Sequence, residues 1–178
     1  MTLKQEHLVV LVDDNDREVG TYPKLLAHTE GKLHRAVSVF VFDGKNRLLL
    51  QRRAHGKYHS EGLWSNTCCT HPYPAEAPAE AASRRLREEM GFECSLQSVG
   101  RISYRAVLEN GLIEHEYDHL FAGLYAGTPR PDPDEVSDWR WIEIDELERH
   151  HTERPGDYTA WFWSALDRVR DYAAFSSS

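Results

Sequence analysis

Cysteine is scarce in this chain, and long apolar runs are missing altogether. Its 178 residues include only three cysteines, an odd and low number that argues against a disulfide-bonded framework. No apolar run approaches the ~20 residues that a transmembrane helix needs. The run from Leu8 to Val12 is followed by Asp13 and Asp14, so it is too short and too acidic for a signal peptide. We therefore expect a protein of the reducing cytoplasm that has no membrane segment.

Basic residues are outnumbered by acidic ones. The chain has 21 Lys and Arg against 29 Asp and Glu, which gives a formal net charge of −8. Since no block of basic residues stands out, nucleic acids and anionic membrane surfaces are not expected as partners. An anionic small molecule can still bind where a few cations or a metal ion gather.

Several signature motifs are also missing. The sequence contains no P-loop, no G-x-G-x-x-G and no G-x-S-x-G, which removes the usual nucleotide-binding and serine-hydrolase classes. The length predicts one domain over residues 1–178, with residues 1–6 and 176–178 expected to be flexible. No surplus of apolar surface is evident, so a monomer is the expected state.

What the chain does contain is an unusual stretch at residues 65–72, where Cys68 and Cys69 are adjacent and His71 follows two residues later. In a strand, side chains alternate between faces, so Cys69 and His71 point one way and Cys68 and Thr70 the other. Either the Cys69 thiol shares a cavity with a possible metal ligand, or this is a small buried strand in which Cys is a compact apolar residue.

Acidic side chains alternate along a second stretch. In strand geometry Glu114, Glu116 and Asp118 share one face, where they repel one another and are costly to bury. That face is either solvated or occupied by a divalent cation. Candidate ligands for such a cation are Glu114, Glu116, His71, and one or both of His28 and His34. This mixture of nitrogen and oxygen donors suits Mn²⁺, Zn²⁺ or Fe²⁺ better than Mg²⁺.

Helical spacing is clearest from Pro78 to Met90. Proline suits the first turn of a helix, and Gly91 suits the residue just past its end. The predicted apolar stripe consists of Ala79, Ala82, Leu86 and Met90. Glu89 lies at the edge of this stripe, one turn after Arg85, so it is either paired with Arg85 or part of a site.

Other elements are predicted from composition and spacing. The segments Ala36 to Phe42 and Arg47 to Arg52 are rich in strand-forming residues and are expected to form a hairpin. The last helix is predicted from about Asp157 to Phe175, with Trp161 on its apolar stripe. At this spacing Trp161 is more typical of a core than of a functional site.

Four basic residues are spaced so that they can converge on a phosphate-bearing ligand. They are Lys24, Arg53, Lys57 and Arg85. Because Lys and Arg are normally surface groups, four separately solvated side chains are the alternative.

The helix and the residues before it resemble a family motif, the Nudix box. That box runs Gly, five residues, Glu, seven residues, then Arg-Glu-apolar-x-Glu-Glu-x-Gly-apolar. Here Glu76 is followed after seven residues by the run Arg84 to Phe92. Two positions depart from the pattern, with Thr70 in place of the Gly and Arg85 in place of a Glu. The second change argues against hydrolysis, because the Nudix acids gather Mg²⁺ around the diphosphate that is cleaved.

The sequence most resembles one branch of that superfamily, the type I isopentenyl-diphosphate Δ-isomerases. Similar segments occur in order over nearly the whole chain. They are Lys24-x₃-His28, Leu33 to Ala36, Gln51 to Arg53, Gly62 to Pro72, Glu114 to Asp118, Asp138 to Trp141 and the helix of Trp161. The resemblance implies an α/β protein, a Nudix-type α/β/α sandwich with a mixed sheet, that acts on an isoprenoid diphosphate.

Carried over position by position, the resemblance implies a role for each candidate residue. Cys69 and Glu116 are the implied proton-transfer groups, either of which can give the first proton. Tyr104 would assist near Glu116, and Trp161 would face the developing cation. The implied ligands of Mn²⁺ or Zn²⁺ are His28, His34, His71, Glu114 and Glu116. The diphosphate would be bound by Lys24, Arg53, Lys57 and Arg85, and its Mg²⁺ by Glu89 and the backbone carbonyl of Cys69.

The implied reaction converts isopentenyl diphosphate into dimethylallyl diphosphate through a tertiary carbocation. It needs an acid and a base on opposite sides of a flat hydrocarbon, and it needs water to be excluded. One alternative is a Nudix hydrolase acting on a diphosphate, which predicts phosphate release without any need for Cys69. Another is a non-catalytic binding module on this fold, for which Cys69→Ala would change nothing measurable except metal content.

Overall fold

The structure is a computed structural model that describes residues 7–57 and 59–175. The termini predicted to be flexible, 1–6 and 176–178, lie outside this part of the chain. The strands are β1 (Leu8–Val12), β2 (Glu18–Pro23), β3 (His34–Phe42), β4 (Arg47–Arg53), β5 (Trp64–Ser65), β6 (Cys68–Thr70), β7 (Leu96–Val107), β8 (Ile113–Leu124) and β9 (Val136–Glu143). The helices are α1 (Lys24–Glu30), α2 (Pro78–Met90), α3 (Ile144–Glu153) and α4 (Phe162–Phe175). Among the described helices, none combines the length and apolar character needed to cross a bilayer.

Strand β3 organises the sheet because it pairs along both of its edges. One edge runs parallel to β8 from His34 to Phe42. The other edge is antiparallel and is shared by β1, β6 and β4. The predicted hairpin of β3 and β4 therefore pairs only near its turn, at Phe42 and Leu48, and β4 continues along β9 instead. The β3–β8 pairing makes the sheet mixed, as predicted.

Helices cover the sheet on both faces. Leu86 and Met90 of α2 pack against β3 residues on one face, where Val39 is fully buried. Phe162 and Leu166 of α4 pack against the other face. The bounds predicted for α2 are confirmed, but its buried side includes Ala81, while the predicted Ala79 is exposed.

The C-terminal helix begins later than predicted. Residues Pro155–Asp157 form a 3₁₀ turn, and the Thr159 amide donates to the Trp64 carbonyl at 3.0 Å. This contact holds the chain against β5, so α4 starts at Phe162 rather than near Asp157. Trp161 consequently lies just before the helix and not on it.

Candidate active site

The edges of β3 bring the two motifs of the sequence together. On one edge Ser38 is paired with Cys69 of β6, and on the other His34 is paired with Glu116 of β8. Because alternate residues of a strand share a face, His34 and Ser38 project from the same side of the sheet. The thiol and the carboxylate therefore flank β3 from opposite edges.

Five side chains form a cluster that can hold a metal ion. They are His28, His34, His71, Glu114 and Glu116, and one donor atom of each lies within 4.8 Å of all the others. The structure thus brings together every metal ligand predicted for the His/Glu site. The three acids on β8 are not solvated, since Asp118 is fully buried and Glu114 is 2% exposed.

Hydrogen bonds fix the imidazole rings of α1 and β3. His28 Nδ1 lies 2.7 Å from the Lys24 carbonyl oxygen, and His34 Nδ1 lies 2.8 Å from that of Lys32. Because a carbonyl oxygen only accepts, each Nδ1 carries the proton and each Nε2 is left as a lone-pair donor facing the cluster. His28 Nε2 lies 3.4 Å from Glu114, and His34 Nε2 lies 3.5 Å from Glu116.

The electrostatics of the cluster suit a divalent cation. Burial raises the pKa of Glu114 well above its usual range, and the neighbouring Glu116 raises it further. Burial lowers the pKa of His28, and it lowers that of His71 to about 3, so both imidazoles are neutral at pH 7. Within the described part of the chain, Glu114 Oε2 has no hydrogen-bond partner. Three imidazoles and two buried carboxylates form a donor set of the kind that binds Zn²⁺ or Mn²⁺.

Glu116 is the most heavily bonded member of the cluster. Its Oε1 lies 2.8 Å from His71 Nε2, and its Oε2 accepts from the Tyr104 hydroxyl at 2.5 Å. Burial would raise the pKa of Glu116, but the interactions with His34 and His71 outweigh it and hold the pKa well below its usual range. Burial raises the pKa of Tyr104 well above its ordinary value, so the phenol remains a donor.

The two adjacent cysteines face opposite ways, as strand alternation predicts. Cys68 is fully buried in the core beneath α2, whereas Cys69 is half-buried on the side of the cluster. Cys69 Sγ lies 3.2 Å from Asn66 Oδ1 and 3.6 Å from Ser38 Oγ. Burial raises the pKa of Cys69 to about 12, so this group is a thiol at neutral pH.

Trp161 is buried, yet it borders the site. Its indole Nε1 donates to Asn66 Oδ1 at 3.3 Å, the same oxygen that Cys69 contacts. The Arg53 guanidinium lies 5.7 Å from the centre of the indole ring. Trp161 is therefore buried, as a core residue is, and it also lies beside the candidate site. Assigning it to the core alone does not describe its position fully.

Three of the four predicted cationic residues, Lys24, Lys57 and Arg85, lie near carboxylates. Arg85 is paired with Glu89 at 2.5 Å and with Glu135 at 2.6 Å, and Lys57 binds the same oxygen of Glu135. Glu89 also accepts from Gln51 Nε2 at 2.6 Å. The pairing of Glu89 with Arg85, one of the two alternatives, is therefore observed. Burial lowers the pKa of Lys24, and the carboxylates of the metal cluster oppose that shift.

Sequence reasoning missed three polar residues that the fold brings to the site. His59 Nε2 lies 3.0 Å from Glu114 Oε1, and the ring contacts Trp161 edge-on with centroids 6.0 Å apart. Glu135 joins Lys57 and Arg85, and Asn66 joins Cys69 and Trp161. His59 carried a weak signal, because it lies in a loop rich in His and basic residues. Nothing local marked Glu135.

Comparisons with known proteins agree with this geometry. A family model described as NUDIX domain matches residues 32–162. Isopentenyl-diphosphate Delta-isomerase 1 from Aromatoleum aromaticum is 54% identical over 164 residues, which cover 92% of this chain and 93% of that protein. Isopentenyl-diphosphate Delta-isomerase from Pectobacterium atrosepticum is 49% identical over 170 residues, 95% of each chain.

Solved structures share the fold. The crystal structure of DR0079 from Deinococcus radiodurans matches with a TM-score of 0.71 at 21% identity, covering 93% of this chain and 99% of that one. MutT NUDIX hydrolase from Burkholderia pseudomallei matches with a TM-score of 0.62 at 21% identity, covering 77% and 98%. These likenesses confirm the predicted fold. The fold and the curated relatives together show that the chain belongs to the NUDIX family and, within it, to the isopentenyl-diphosphate Delta-isomerases.

Proposed function

We propose that this protein converts isopentenyl diphosphate into dimethylallyl diphosphate, with Cys69 and Glu116 as the two proton-transfer groups. The observation that carries the proposal is their placement on opposite edges of β3, beside the His/Glu cluster. One proton is added to the terminal alkene carbon, and one is removed from the carbon on the other side of the cationic centre. The double bond moves and no net proton is consumed.

The protonation states of the two groups suit this exchange. Cys69 is a thiol, since burial raises its pKa to about 12, and Glu116 is a carboxylate. One group therefore begins with a proton and the other without, as a reaction that adds one proton and removes another requires. Tyr104, hydrogen-bonded to Glu116, would assist transfer at that carboxylate.

Two divalent ions would complete the site. His28, His34, His71, Glu114 and Glu116 would hold Mn²⁺ or Zn²⁺, whose charge would allow both buried carboxylates to remain ionised side by side. Mg²⁺ on the diphosphate would be held by Glu89 and the backbone carbonyl of Cys69. Glu89 is already adjacent to Arg85, so a carboxylate for Mg²⁺ and a cation for the diphosphate lie together.

The remaining predicted residues would bind the substrate and shield the cation. Lys24, Arg53, Lys57 and Arg85 would bind the diphosphate. The buried indole of Trp161 would stabilise the carbocation without offering a nucleophile, a contribution of about 2 kcal/mol in a desolvated site. Its burial would also keep water from trapping the cation.

One assay tests the proposal directly. Isopentenyl diphosphate is incubated with the metal-loaded protein and Mg²⁺, and acid-labile allylic product and free phosphate are both measured. We expect allylic product from the wild type, none from Cys69→Ala, and most of the activity from Cys68→Ala, because Cys68 faces the core. Phosphate release without allylic product would establish hydrolysis instead. Equal loss in both cysteine variants would contradict the role given to Cys69.

A further inference from the structure

Asn66 is a fully buried residue between β5 and β6 whose amide group has a fixed orientation. Its Nδ2 donates to the backbone carbonyls of Val39 at 3.1 Å and Cys68 at 2.9 Å. Since carbonyl oxygens only accept, the NH₂ group must face them, and Oδ1 must point the other way.

That single oxygen collects three donors. The Ser65 hydroxyl lies at 2.9 Å, the Cys69 thiol at 3.2 Å and the Trp161 indole N–H at 3.3 Å. Two of these three donors, the Cys69 thiol and the Trp161 indole, would lie next to the hydrocarbon part of the substrate in the proposed reaction. Cys69 and Trp161 lie 92 residues apart in sequence, and the Asn66 oxygen is a contact that their side chains share.

We propose that Asn66 is a positioning residue, which sets the Cys69 thiol and the Trp161 indole relative to each other through its amide oxygen. This inference rests on the proposed isomerase function. A shared acceptor restricts both the thiol torsion and the tilt of the indole ring. Misplacement of a reacting group by ~1 Å can cost about 10²-fold in rate, so fixing both groups at one point has a direct effect on turnover.

A merely structural role would act through the other half of the amide. The Nδ2 bonds join the β5–β6 connection to β3 and β6, and they would account for the burial of Asn66 without any effect on catalysis. The two roles differ in their consequences. Loss of the Nδ2 bonds lowers stability, whereas loss of the shared oxygen lowers kcat in the protein that remains folded.

The kinetic test compares Asn66→Ala with Ser65→Ala in the metal-loaded, full-length protein. Ser65 is the matched control, since its removal deletes the third donor and leaves the thiol and indole bonds in place. We expect Asn66→Ala to lower kcat roughly 10²-fold per folded molecule, with KM changed by less than about threefold. We expect Ser65→Ala to stay within about threefold of wild type. A folded Asn66→Ala protein with wild-type kcat, or equal losses in both variants, would overturn the proposal.

A second measurement needs neither activity nor a folded Asn66 variant. The indole ¹⁵N–¹H resonance of Trp161, assigned with Trp161→Phe, is compared in Cys69→Ala and Cys68→Ala. If the thiol and indole share the Asn66 oxygen, removal of Cys69 shifts the resonance and removal of the adjacent Cys68 does not. An unmoved resonance in Cys69→Ala would overturn the coupling. This readout uses no substrate, so it tests the shared oxygen independently of catalysis. A protein that lacked isomerase activity would contradict the proposed function and would leave the result of this measurement unchanged.

Discussion

At the residue scale, Glu114 is the predicted ligand whose protonation metal binding would change most. Burial and Glu116 raise its pKa well above the usual range, which favours its protonated form in the metal-free protein. The pKa values of His28 and His71 are lowered, so these imidazoles are neutral and need not release a net proton when they bind a metal. The proton that metal binding would displace is therefore expected to come chiefly from Glu114.

We predict that Mn²⁺ or Zn²⁺ binding releases protons and becomes tighter as pH rises. The sign follows because the metal requires the carboxylate form of Glu114, and this form gains population as pH rises. Calorimetry in buffers with different ionisation enthalpies measures the release. Glu114→Gln is the control and should release fewer protons. Equal release from both proteins would contradict this assignment.

Glu116 and its neighbour Tyr104 give a second prediction at this scale. Glu116→Gln should lower kcat by about 10²–10⁴-fold and weaken metal binding, because in the proposed function this side chain serves both tasks. Tyr104→Phe removes a single hydrogen bond to Glu116 and should keep full metal content with a smaller loss of kcat. Turnover and bound metal are measured together. An inactive Glu116→Gln protein with full metal occupancy would show that the two tasks separate.

At the scale of elements, an ion pair ties helix α2 to the loop before it. Arg84 donates to both oxygens of Glu76, at 2.7 and 2.9 Å, and the Tyr73 amide donates to Glu76 at 2.8 Å. The hydrogen bonds from Arg84 lower the pKa of Glu76. A lowered folded pKa contributes stability above the unfolded value of about 4.3, and that stability is lost as pH falls through the folded pKa.

We predict that Glu76→Gln lowers the free energy of unfolding by about 1–2 kcal/mol at pH 7. The difference from wild type should persist down to about pH 5 and shrink as Glu76 becomes protonated below it. Denaturant unfolding at several pH values measures it. The exposed Arg87–Glu93 pair is the control, and Glu93→Gln should change stability by less than about 0.5 kcal/mol. A pH-independent effect of Glu76→Gln would rule out this explanation.

The sequence predicted correctly those features that depend on residues close together in the chain. The bounds of α2 follow from Pro78 and Gly91, and the opposite orientation of Cys68 and Cys69 follows from strand alternation. The extent of the hairpin did not follow, because β6, which is distant in sequence, occupies the middle of the β3 edge. The start of α4 was missed for a similar reason, since Thr159 is held by the Trp64 carbonyl across the fold.

The residues of the candidate site also fall into two groups, those that the sequence predicted and those that it did not. Its His, Glu and Cys members stand out by residue type, and the family resemblance gave each a role. Residues that act through them gave little signal, because an Asn or Glu is chemically ordinary until the fold supplies its partners. Glu135 lies 50 residues from Arg85 in sequence, and only the tertiary structure brings the two side chains to 2.6 Å.

At the scale of the whole molecule, the predicted metal ligands lie on α1, β3, β8 and the residue after β6. A cation bound there would connect four parts of the chain and would therefore favour the folded state over the unfolded one. At a concentration 100 times its Kd, such a ligand stabilises the native protein by about 2.7 kcal/mol. For a chain of this length, that corresponds to a rise in Tm of about 5–10 °C.

We therefore predict that a strong chelator lowers Tm by about 5–10 °C and that Mn²⁺ or Zn²⁺ restores it. Differential scanning calorimetry measures the shift. In His34→Ala, which lacks a central ligand, the chelator should have a much smaller effect. If neither the chelator nor the metal changed the wild-type Tm, this would show that the cluster does not bind an ion in the native state.

The contacts of Glu135 have a consequence for anion selectivity. Lys57 and Arg85 both contact the carboxylate of Glu135, which belongs to the same chain. If these two cations bind the diphosphate, as proposed, an incoming anion would have to compete with Glu135 for them. Because a group of the same chain has a high effective concentration, weakly binding anions such as chloride would compete poorly. A diphosphate with its own Mg²⁺ would compete better, so Glu135 would favour the substrate over simple anions.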